Sequence, residues 1–224
     1  MSLRTTLLLT ATIALFSSSN LLAASSGPLK PVPASKLEIS STSMHQPASE
    51  ASCELKVKER YEYYDIDGPT VEDLQRQMRH NGTKWGDGNI YAALTTWDLH
   101  FDYDLTEDEG HCSVKSVKTN VEIVYHLPRL VGSKGAELAP LWEKYLAHLK
   151  LHEFGHKDIT VKSAGEINEV LSSLQNFKSE RELEKEAKRL TDEKLRELKD
   201  LQVAYDAKTH HGETQGAVLA AGQP

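Results

Sequence analysis

The residues His152-Glu153-Phe154-Gly155-His156 read H-E-x-x-H. On a helix, imidazoles at i and i+4 point the same way one turn apart, so His152 and His156 can bind one Zn²⁺ ion. Glu153 is offset around the helix, where it can meet a water on the metal rather than the metal itself. Zinc lowers the pKa of such a water toward about 7, and Glu153 can take its proton and later pass one to a leaving amine. The chemistry this pattern implies is zinc-dependent hydrolysis of a peptide bond, with Glu153 as general base.

A catalytic zinc needs a third protein ligand and one open position. The extended pattern with Gly three and His six residues after the second His fails, because Ile159 and Lys162 stand there. Glu166 and Glu169 are nearby acids, but a helix that follows so soon folds back poorly. A better source is Tyr205-Asp206-Ala207-Lys208-Thr209-His210-His211-Gly212, which gathers acid, hydroxyl, imidazole and glycine where a returning helix can meet the first. Spacing alone does not choose among Asp206, His210 and His211. His148, one turn before His152, is too far along the axis to share one ion with both motif histidines. His80, His100, His111 and His126 read as ordinary strand or loop residues, and Tyr125 and Tyr205 as candidate oxyanion donors.

These side chains need elements to position them. Pro140 fits a first helical turn, and Trp142, Tyr145, Leu149, His152 and His156 then share one stripe, so a core-facing stripe ends in two histidines. An unpaired imidazole pair there is costly, and a metal satisfies both. A further helical region over 159–205, with a break at Asn176–Ser179 and a Ser179/Glu182 capping box, supplies the return. Upstream, Glu54–Ile66 reads as a strand ending at Asp67-Gly68-Pro69, and Thr70–Arg79 as a capped helix. Trp97, Leu99, Phe101, Tyr103 and Leu105 alternate with polar residues, as do Val121, Ile123, Tyr125 and Leu127, with Pro128 closing the run. That pattern predicts an antiparallel hairpin with one face on a core. An edge strand such as Trp97–Leu105 can align an extended substrate by main-chain pairing.

Thr95-x-Trp97 with Asp98, His100 and Asp102, then Gly110-x-Cys112, Leu127-Pro128 and Trp142 form a set with the histidine motif and with Tyr205-Asp206-x-x-Thr209-x-His211-Gly212. The set resembles the predicted secreted zinc-dependent proteases of bacteria, a family long carried as a domain of unknown function. The resemblance implies an α+β, zincin-like fold: a small antiparallel sheet packed with the H-E-x-x-H helix and a long helical C-terminal region. It also implies that His211 is the third zinc ligand, with Asp206 orienting a histidine or standing as an alternative ligand and His210 a solvated neighbour.

The remainder of the chain sets the compartment. Arg4 precedes an apolar run from Leu7 to Phe16 and then Leu21-Leu22-Ala23-Ala24, which reads as a signal peptide over 1–24 and directs the protein to the periplasm or outside. A flexible Ser/Pro/Ala-rich linker over 25–51, a protease-like domain over 52–212 and a flexible tail over 213–224 complete the expected organisation. The 224 residues carry a net charge of -7, and removal of Arg4 with the leader makes the rest one unit more acidic. With no basic block, a nucleic-acid partner is excluded, and no membrane span is expected after cleavage. In an oxidising compartment Cys53 and Cys112 are expected to form a disulfide. The rival functions are a non-catalytic exported zinc-binding or peptide-binding protein, which a closed fourth ligand would favour, and a zinc amidase acting on cell-wall cross-links.

Overall fold

The computed structural model describes residues 4–7, 51–132 and 137–220. The strictest alternation in the chain falls on two long paired strands. β5 (Leu94–Asp108) and β6 (His111–Leu130) form an antiparallel hairpin closed at Glu109-Gly110, both with positive φ. A two-residue turn of this kind matches the right-handed twist of the strands, and Gly110 takes its conformation without steric cost. The odd-numbered residues Trp97, Leu99, Phe101 and Tyr103 are buried with Ile123 and Val121 opposite, while Asp98, His100 and Asp102 face outward.

β2 (Ser52–Ile66) lies on the far side of β6 and runs parallel to it over its whole length. β1 (Arg4–Leu7) pairs antiparallel with β5 at Phe101–Asp104, giving the order β1-β5-β6-β2. The sheet is therefore mixed rather than purely antiparallel. β1 lies in the stretch that reads as a signal peptide, so cleavage near Ala24 would remove it and free that edge of β5. Most of the expected linker, residues 25–50, lies outside the described residues. Pro128 does not close its strand: β5 begins opposite His126, so beyond that point β6 has a partner only on the β2 side and tolerates a residue without an N–H.

Between β2 and β5 come α1 (Val71–Asn81) and the short ladder of β3 (Thr83–Lys84) with β4 (Ile90–Tyr91). Thr70 caps α1, accepting from the Asp73 amide and donating to its carboxylate, and Val71, Leu74 and Met78 turn into the core. α2 (Leu138–Ser172) crosses the inner face of the sheet, and α3 (Glu180–Thr209) returns antiparallel along α2. The further helical region expected from 159 is not separate but continues α2, and the break falls between Ser172 and Glu180, where Asn176–Ser179 marks it. The buried stripe runs on through Thr160, Ala164, Ile167 and Leu171, so the helix stays amphipathic and does not end until Ser172. Glu166 and Glu169 thus ride the same rigid helix as the motif, Glu166 about 15 Å beyond His156, too far to share its ion. Among the described residues no helix is long and apolar enough to cross a membrane.

The stretch expected as a loose tail is packed where it is described. A 3₁₀ turn over Glu213–Gln215 follows α3, Leu219 is buried, and its carbonyl accepts from Gln75 of α1. Residues 221–224 lie outside the described set.

The expected disulfide is not formed. Cys53 stands beside Val117 in the parallel register, five residues from Cys112, a separation of about 16 Å along the strands that no disulfide spans. Cys112 instead bridges by its main chain to Phe177 in the α2–α3 connection. Thiol titration of the denatured, unreduced protein should therefore read two free thiols per chain; a reading near zero would mean that the strand register is different.

Candidate metal centre

His152 and His156 lie on one stripe of α2, and both are buried. Their Nε2 atoms are 3.3 Å apart. Asp206, buried on the facing turn of α3, brings Oδ1 to 3.1 Å from Nε2 of His152 and 3.0 Å from Nε2 of His156. Four ligands around an ion at 2.0–2.1 Å are separated by about 3.3 Å along the tetrahedral edges. Three donor atoms with mutual distances of 3.0, 3.1 and 3.3 Å make one face of such a shell. This buried group can hold a metal ion.

The surrounding hydrogen bonds fix the imidazoles for that task. The Gln202 amide nitrogen donates to the His156 carbonyl and to Thr160 Oγ1, which leaves its Oε1 facing His156 Nδ1 at 2.5 Å. Gln215 donates to the Tyr205 hydroxyl and turns its Oε1 to His152 Nδ1 at 3.0 Å. Each Nδ1 thus has an amide oxygen to donate to, so each Nε2 can give up its proton and turn a lone pair to the same point as Asp206 Oδ1. Asp206 Oδ2 is buried and has no hydrogen-bond partner among the described residues. A proton relieves one of these contacts; a divalent ion satisfies all three.

The charges are coupled. Burial alone would raise the Asp206 carboxyl, but its hydrogen bonds to His152 and His156 outweigh this and hold it well below the usual carboxylate range. Burial would lower His156, yet the Asp206 and Glu153 carboxylates win and raise it. Glu153 is pushed up by burial, against the pull of His156, Thr95 and His152. Its Oε2 accepts from the Thr95 hydroxyl at 2.6 Å, so β5 holds this carboxylate from below.

His152, Glu153, His156 and Asp206 open onto one cleft of about 490 Å³, lined also by Asn89–Leu94, His210 and His211. His210 and His211 follow the end of α3 in left-handed conformations, and both are exposed. His211 Nδ1 lies 3.6 Å from Asp206 Oδ1. His148 sits against Gly216, and His126 lies on the outer face between Thr96 and Glu62. The Tyr125 hydroxyl donates to Glu59, whereas Tyr205 stacks on the His152 ring and donates to the His152 carbonyl. Gln202, Gln215 and the contact made by Thr95 were not legible as a motif. One signal did exist for Gln202: the buried stripe of α3, Leu195, Leu198, Gln202, Asp206 and Thr209, turns polar as the α2 stripe does at its histidines.

Residues 61–212 match the family described as bacterial protein of unknown function, DUF922. The match spans both motif segments, and the family description assigns no activity. No curated protein and no solved structure matches the chain.

Two outcomes test this geometry. A Cβ at Gly155 would overlap the Tyr205 hydroxyl, whereas one at Gly165 of the same helix meets nothing. Gly155→Ala should lower stability to denaturant by about 1–3 kcal/mol, while Gly165→Ala should raise it by roughly 0.5–1 kcal/mol; equal effects would contradict the Tyr205 packing. Gln202→Leu should weaken divalent-ion affinity about 10–100-fold in a chelator competition titration, and unchanged affinity would remove Gln202 from the site.

Proposed function

The chain belongs to the bacterial DUF922 family, and from that premise we propose that it is an exported zinc metallopeptidase of zincin-like fold. The observation that carries the reading is the buried set of three mutually close donors, His152 Nε2, His156 Nε2 and Asp206 Oδ1, beside a buried Glu153 on the same helical turn. Imidazole and carboxylate donors at these separations suit zinc, and three protein ligands leave a position open for chemistry. The resemblance nominates His211 as third ligand. The distances favour Asp206, because its oxygen is equidistant from both imidazoles while the exposed His211 is closest to that oxygen at 3.6 Å.

A bound zinc supplies Lewis acidity, polarising a carbonyl and lowering the pKa of water toward about 7. The protein's own residues supply the proton traffic and the alignment. Glu153, raised by burial, accepts a proton from water in the cleft and returns it to the leaving amine. Thr95 keeps the carboxylate oriented, and Gln202 and Gln215 accept at both Nδ1 atoms and so hold each ring with Nε2 toward the site. β5 begins at the site, and its edge on the β1 side over Leu94–His100 has no partner strand among the described residues. That edge can align an extended peptide or protein substrate by main-chain hydrogen bonds. The leader-like first 24 residues and the acidic balance support export and argue against a nucleic-acid partner.

Glu153→Gln should reduce peptide hydrolysis by about 10²–10⁴-fold with zinc still bound at one per chain by metal analysis. Retained turnover in that variant would sink the mechanism. Asp206→Ala should lose zinc and His211→Ala should keep it; the reverse pattern would return the third position to His211.

A further inference from the structure

β2 closes the sheet, paired with β6 on one side and with no strand on the other among the described residues. Every residue from Ser52 to Tyr63 is exposed. The odd-numbered side chains stand on the α2 side of the sheet, with Val57 beside Val121 and Tyr61 beside Tyr125. Four of them are apolar and open to water: Leu55, Val57, Tyr61 and Tyr63 are 37%, 40%, 44% and 46% exposed. The tyrosines are held in place, Tyr61 by stacking on Tyr125 and Tyr63 by the Arg129 guanidinium over its ring. The strand contains no proline and its register with β6 is unbroken, so neither a proline nor a bulge blunts this edge.

We infer that β2 pairs antiparallel with β2 of a second copy about a two-fold axis at Glu59, which joins two sheets into one and makes the protein a homodimer. The apolar stripe has two aliphatic residues at one end and two tyrosines at the other, so it complements itself when reversed. Glu59 is the midpoint of Ser52–Ile66, and pairing about it uses the whole strand. Residues directly opposite share a face, so Val57 meets the second copy's Tyr61 and Leu55 meets its Tyr63, each contact made twice. An axis at Tyr61 would instead carry Leu55 past the end of the opposing strand. On the other face Lys56 meets the second copy's Glu62. Lys58 meets Arg60, whose charge Glu62 and Glu122 of its own chain offset. Glu59 faces its own copy, where the hydrogen bond from Tyr125 and the nearby Lys157 ammonium temper the repulsion. β6 separates β2 from β5, so the dimer leaves the β5 edge at the metal centre open.

Sedimentation equilibrium of the full chain should show a mass rising from one chain toward two over about 1–100 μM, the behaviour of a small interface. Val57→Lys and Tyr61→Lys should each weaken the dimer about 5–30-fold, because the two-fold doubles every loss, and Glu59→Gln should tighten it about 2–5-fold. Far-UV circular dichroism checks that each variant is folded. In a Cys53→Ser, Cys112→Ser background, Glu59→Cys should form a disulfide-linked dimer on oxidation, since residues facing each other across an antiparallel pair lie within disulfide reach; Leu55→Cys should not. A wild type that stays monomeric, a dimer unmoved by both lysine variants, or equal cross-linking at both positions would overturn the proposal. So would a monomer whose β2 amides exchange hydrogen as slowly as those of β6, because the chain itself would then cover this edge.

Discussion

The Asp206 carboxylate, buried between two imidazoles, is the contact on which the arrangement of the two long helices depends. It comes from α3, and both histidines come from α2, so the donors converge only when the helices lie antiparallel in one register. A buried carboxylate is costly unless its charge is compensated. The same geometry that compensates it leaves its second oxygen without a partner among the described residues and aims two imidazole Nε2 atoms at one point. Folding this chain and preparing a cation site are thus one event. The register must bring 152 opposite 206 and 156 opposite 202, and hydrophobic packing elsewhere along the helices has to maintain it.

That packing is visible in the stripes. On α2 the buried positions run from Leu138 to Leu171, apolar at both ends and polar in the middle. On α3 they begin with Leu183 and Ala187 and turn polar at Gln202, Asp206 and Thr209. The two polar stretches meet. Gly155 lets Tyr205 come close enough to stack on His152, and the turn after Gly212 brings Gln215 back to the same imidazole. The sheet contributes from the opposite side, where Thr95 at the start of β5 holds Glu153. Three separate elements therefore orient four side chains, which is the degree of preorganisation that proton transfer and metal binding both require.

Much of this was legible one element at a time. Alternation from Trp97 to Leu127 located the hairpin, Thr70 and Ser179 marked helix starts, and the i, i+4 pair named two of the three clustered donors, because each of these patterns is completed within a few residues. What failed were inferences about how elements stand beside one another. The cysteine pair was read from compartment and count, but β2 runs parallel to β6 in a register that keeps Cys53 and Cys112 apart. Small residues after Gly212 looked like a tail, yet Leu219 finds a place in the core.

The sequence by itself determined the local chemistry: a helix that buries His152 and His156 on one stripe, with Glu153 beside them, follows from periodicity alone. Only the tertiary structure decided what completes it. Asp206 lies 50 residues beyond His156 and Thr95 lies 58 residues before Glu153. Whether such residues meet depends on the crossing of α3 over α2 and the seating of α2 on the sheet, which no local pattern encodes. Which of Asp206, His210 and His211 lies against the two imidazoles turned on where α3 ends. One more helical turn keeps Asp206 on the buried face, and the left-handed residues that follow carry the histidines out to the rim.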